Sequence, residues 1–184
     1  MQVTGLPFIS NWQNFYVIIG TASATVTGLM FVVTTLIAGI EKREATLTAG
    51  VSAFITPTIV HFCTVLLITM VLSAPWPIFS AVTIILVLLG LLSLAYLIPV
   101  TRRMRVMPEY QTPLKDWLWY IIFPAITYIA LITAAILLLT SPQLALYLIS
   151  AVMAALLFIG IHNAWDLVIF LALERSHFKE IRKK

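Results

Sequence analysis

His162, Asn163 and Asp166 fall within five positions of one another in GIHNAWDLV, residues 160–168, inside one of the most apolar stretches of the chain. On a helix His162 and Asp166 are four apart and share a face, with Asn163 on an adjacent edge. An imidazole beside a carboxylate can hold and pass a proton. Asp166 is the only carboxylate well inside an apolar run, eight residues before Glu174, about 12 Å along a helix from that end. His61 and Tyr128 lie near the middle of two other runs. His61, Tyr128, His162, Asn163 and Asp166 therefore form a candidate ion- or proton-linked site, with His61, Tyr128 and His162 meeting at one depth and Asp166 just below. A charge at the centre of a membrane helix costs about 2.5–3.5 kcal/mol on insertion scales, and such residues face a bundle interior or a water-filled cavity. The alternative for the same residues is a buried hydrogen-bond network that pins the last helix against two others.

Two histidines and an aspartate also match a facial metal triad, and two histidines match the axial ligands of a haem. Either needs His61 and His162 to converge, which the spacing does not secure, so neither a metal nor a cofactor is expected. The chain has no Gly-x-Ser-x-Gly, no paired aspartates, no His-Glu-x-x-His and one cysteine, Cys63, so no enzymatic activity is expected.

The elements that must position these residues are set by composition. The chain is 61% hydrophobic and 10% charged, with mean hydropathy +1.06. Soluble domains carry about 25% charged residues, so an all-α polytopic membrane protein is expected. Five apolar runs, 13–40, 47–73, 77–100, 116–140 and 143–173, are each long enough to cross a core of about 30 Å as a helix. The links SAPWP (73–77) and TSPQ (140–143) are short and proline-bearing, which implies antiparallel hairpins.

All eleven lysines and arginines lie after the first run (Lys42, Arg43), around the loop after the third (Arg102, Arg103, Arg105, Lys115), or after the fifth (Arg175, Lys179, Arg182, Lys183, Lys184). Five spans put these segments on one side, which the positive-inside bias makes cytoplasmic. The amino terminus is then outside, and residues 174–184 form a basic cytoplasmic tail. Trp12, Trp76, Trp117 and Trp119 sit at run ends, as interfacial anchors do. The cations follow loops, without a nucleic-acid motif, so the expected surroundings are a lipid bilayer and no nucleic acid.

The second and fourth runs align at an offset of 67, which pairs Pro57 with Pro124, His61 with Tyr128 and Pro75 with Pro142. That suggests two parallel helical hairpins plus one extra helix at the amino end.

The first run contains GTASATVTGLMFVVTTLIAG, residues 20–39. Gly20, Ala24 and Gly28 form small-xxx-small pairs that let helix backbones approach closely. Ser23, Thr27 and Thr34 make a neighbouring hydroxyl stripe. The stripes suit packing within the chain, packing between protomers, or the lining of a pore. NWQNFYVIIGTASATVTGLMFVVTTL, residues 11–36, resembles the amino-terminal pattern of small bacterial multi-pass inner-membrane proteins, some of them labelled modulators of the FtsH protease. The resemblance implies a bacterial inner-membrane setting and brings no catalytic residues with it.

Two functions follow as expectations. One is an oligomeric channel- or transporter-like protein that moves ions or protons through the His/Asp site. The other is an accessory protein that binds or modulates another membrane protein, such as a protease.

Overall fold

A computed structural model describes the backbone of residues 11–41, 45–106 and 114–181, and the side chains of 11–35, 55–105 and 114–169. Lys42, Arg43 and the side chains of the basic tail, on which part of the orientation argument rests, lie outside the described residues.

The described chain is helical and contains five helices long and apolar enough to cross a membrane. They are α1 (Gln13–Glu41), α2 (Ala45–Ser73), α3 (Phe79–Val106), α4 (Leu114–Leu137) and α5 (Pro142–Ile181). They match the five apolar runs, with α3 reaching past residue 100 and α5 past residue 173. The overshoot carries charged residues, because helical hydrogen bonding does not stop where hydropathy falls.

The links are held as tight hairpins. After α2 the Trp76 indole donates to the Val71 carbonyl at 2.6 Å and so satisfies one of the open acceptors of the helix end. After α4 the chain narrows through bonds from Leu138, Leu139 and Thr140 to carbonyls three residues back. Pro142 then opens α5 at a position where its missing N–H is no loss.

α2, α3, α4 and α5 pack in a ring, each against its two neighbours, and α1 lies outside it against α2 and α5. Val65, Ile68, Leu86, Leu131, Ile149 and Met153 are among the fully buried side chains that fill the ring. Two glycines bring helices together. A Cβ on Gly90 of α3 would meet Ile132 of α4 at 2.6 Å, and one on Gly160 of α5 would meet the Phe62 ring of α2 at 2.8 Å from Cζ.

α1 splits the stripes expected from its sequence. Gly20 is buried, and a Cβ there would meet Thr69 Cγ2 at 2.6 Å. Ser23 is fully buried and donates to the Phe62 carbonyl at 2.6 Å. Ala24 and Gly28 face away from the bundle, with nothing within 4 Å of a Cβ on Gly28. Thr27 and Thr34 are half-buried and donate to Ser23 and Met30 of their own helix, at 2.8 and 2.7 Å. Two of the three hydroxyls are thus satisfied within α1, as serine and threonine in helices often are, and the third crosses to α2.

Candidate functional site

The five candidate site residues separate into two centres. His61 and Tyr128 form the first. The Nδ1 of His61 lies 2.7 Å from the Tyr128 hydroxyl. Both residues are fully buried on the diagonal of the ring. The Thr64 and Ser93 hydroxyls lie beside Tyr128 and stand 3.4 Å from one another. The second imidazole nitrogen, Nε2, is buried with no partner among the described residues. A buried donor or acceptor is normally paired, and Tyr16 Oη and Asn163 Oδ1 share this condition.

His162, Asn163 and Asp166 form the second centre, at the end of the bundle that carries Arg102, Arg103 and Arg105. Asp166 Oδ2 lies 2.9 Å from Lys115 Nζ, at the start of α4, and 3.4 Å from His162 Nε2. The Trp119 indole stacks on the His162 ring, with centroids 3.7 Å apart. Tyr128 lies nine residues beyond Trp119, about 13 Å farther along α4. Among the described residues no hydrogen bond or ring contact joins His162 to His61 or Tyr128. Asp166 instead has a partner that the sequence reading missed: Lys115, at the edge of the loop after the third run, lies in the first turn of α4. At 32% side-chain exposure for Asp166 and 57% for Lys115, this is a partly solvated pair of the kind worth about 0–1 kcal/mol. Among the described residues no group of three or more His, Cys, Asp or Glu is placed to hold a metal ion.

Asn163 has its own task. Residues Leu118–Ile122 of α4 form a π turn, in which Phe123 N–H bonds back five residues to the Leu118 carbonyl. In an α-helix that N–H would serve Trp119. In the wider register the Trp119 carbonyl would turn to residue 124, but that is Pro124, which has no N–H. The side chain of Asn163 supplies the missing donor, with Nδ2 3.4 Å from Trp119 O. The Tyr120 hydroxyl returns the contact by donating to the Asn163 carbonyl at 3.4 Å. Proline 124 was visible in the sequence; that it pairs with an asparagine on another helix was not.

Replacing the fully buried Asn163 with leucine leaves that carbonyl unsatisfied. The expected cost is about 1–3 kcal/mol, read as a lowered thermal midpoint in detergent. Adding Pro124→Ala restores a backbone N–H next to the gap and should recover part of the loss. If the second substitution instead adds its own full penalty, Asn163 does not serve that acceptor.

No family model, curated protein or solved structure matches this chain.

Proposed function

We propose that the chain spans a bacterial inner membrane five times and moves protons or small ions through the His61–Tyr128 centre. In this reading the amino terminus is outside and the end bearing Arg102, Arg103, Arg105 and Lys115 is cytoplasmic, as the positive-inside bias directs. The observation that carries the proposal is the fully buried His61, with one imidazole nitrogen on Tyr128 and the other without a protein partner. An ionisable group inside a membrane bundle is a functional-site hypothesis by default. Apolar side chains close the ring around the centre, so passage requires the helices to open it rather than a standing pore. His162 and Asp166 then act at the cytoplasmic mouth, where they exchange charge with Lys115.

Reconstituted vesicles test this. With a pH gradient imposed, the protein should carry protons at a rate above that of empty vesicles. His61→Phe should fall to the empty-vesicle rate, while Asp166→Asn keeps at least half. Flux that needs Asp166 but survives His61→Phe would move the site to the other centre, and no flux from the intact protein would end the reading.

A second reading has its own observation. The outward-facing Ala24 and Gly28 on α1 are the kind of surface on which another membrane helix packs closely. It suits a homo-oligomer, or an accessory protein bound to a membrane protein such as a protease. The mass of the same sample in nanodiscs distinguishes a discrete oligomer from a monomer, and a copurifying chain reveals a partner.

A further inference from the structure

Four of the five helices obey one numerical relation. Adding 67 to a residue number carries α2 onto α4 and α3 onto α5, and it pairs Pro57 with Pro124 and Pro75 with Pro142. Burial follows the same shift. His61, Thr64 and Ile68 are buried on α2, and so are their counterparts Tyr128, Leu131 and Ala135 on α4. Leu86, Ser93 and Val100 are buried on α3, and Met153, Gly160 and Leu167 on α5. The packing agrees as well. The relation exchanges the α2–α5 contact with the α3–α4 contact; each seam also has a glycine, but Gly160 maps to Ser93, three residues from Gly90.

Leu67 and Leu92 are exposed while their counterparts Ala134 and Ile159 are buried, and a second set of departures has one cause. Phe62 and Thr69 of α2 are buried, whereas their counterparts Ile129 and Ile136 are exposed. α1 lies on this face of α2, through Ser23 on the Phe62 carbonyl and Gly20 against Thr69, and α1 has no counterpart in the relation. The π turn of α4 is a further departure: residues 118–122 map to 51–55, which are ordinary α-helix in α2.

In a two-fold arrangement a residue can touch its own counterpart only at the axis. His61 and Tyr128 are counterparts, and their polar atoms are 2.7 Å apart. We infer that α2–α5 are two copies of one helical hairpin about an axis along the bundle, and that His61 and Tyr128 are one duplicated site position, exchangeable across it. The hydroxyls of Thr64 and Ser93 belong to the tyrosine's surroundings, and their counterparts are Leu131 and Gly160. Gly160 has no room for a side chain, so the exchange moves the His61/Tyr128 and Thr64/Leu131 pairs and leaves Ser93 in place.

The test is thermal unfolding in nanodiscs of three proteins: H61Y/Y128H, T64L/L131T and the four together. Each double variant separates the tyrosine from its threonine and should lower the midpoint by about 5 °C or more, at about 2–4 °C per kcal/mol for a chain of this size. The fourfold variant restores the threonine, though not Ser93, on the other side of the axis and should melt above both doubles. In it, ¹⁵N-histidine spectra should show the imidazole at position 128 bonded through Nδ1. A fourfold variant that melts at or below either double, that fails to fold, or that folds without this bond overturns the inference. The outcome does not depend on proton flux, so it stands or falls apart from the transport reading.

Discussion

Gly160→Ala will lower the stability of the bundle by about 3 kcal/mol, the upper part of the range for overpacking a filled core. The added methyl group would sit 2.8 Å from Cζ and 2.9 Å from Cδ1 of Phe62. Neither helix can yield cheaply. The Phe62 ring is 1% exposed, so it has no solvent to swing into. Its backbone is tied to α1 through Ser23, so α2 cannot withdraw without breaking that bond. For a chain of 184 residues the loss corresponds to a fall of roughly 6–12 °C in the thermal midpoint. Gly28→Ala is the control, because a Cβ there meets nothing within 4 Å. Pairing Gly160→Ala with Phe62→Leu should return part of the loss, and a double-mutant cycle measures the coupling. Equal effects at Gly160 and Gly28 would mean that helix propensity, not the α2–α5 seam, sets the cost.

That contrast also marks how far sequence reasoning reaches. The spans were legible because hydropathy over twenty residues is a sum, and sums tolerate local error. Gly20 and Gly28 looked alike in the sequence, since both lie on one stripe of α1, yet only Gly20 meets another helix. Which part of a stripe is covered depends on the crossing angle and position of its neighbour, and neither is a local property. The same limit explains the site. His61 with Tyr128 was legible as a pair because both lie mid-span at the same offset as the flanking prolines. The pairing of Asp166 with Lys115 was not, because it depends on where α4 begins. Residues 107–113, which precede it, read as a loop, and nothing in them shows that the next helix starts early enough to bring a cation to Asp166. The π turn shifts every later residue of α4 by one position, and it is a compromise between Pro124 and Asn163, which lie far apart in the chain.

The pair His61–Tyr128 permits a sharper separation of role from packing than any single substitution. Removing one partner leaves the other as a buried polar group with an unmade bond, at about 1–3 kcal/mol. Tyr128→Phe should therefore destabilise the protein by that amount, since it strands Nδ1 of His61 as Nε2 is already stranded. His61→Phe leaves the Tyr128 hydroxyl beside those of Thr64 and Ser93, which can take over the lost bond, and should cost less. Replacing both by phenylalanine removes the two polar groups together and keeps a similar volume. Such double replacements are nearly neutral or stabilising in other buried pairs, so H61F/Y128F should melt at or above the midpoint of Tyr128→Phe. A structural pair would then lose nothing of consequence: the fold would be intact and whatever the protein does would continue. If the pair is the place where a proton resides during transport, H61F/Y128F will be the best-folded of the inactive variants, with a parent-like midpoint and the flux of an empty vesicle. Full flux from a stable double variant would make His61 and Tyr128 a packing device, and the incomplete valence at Nε2 would then be a cost the fold carries without use.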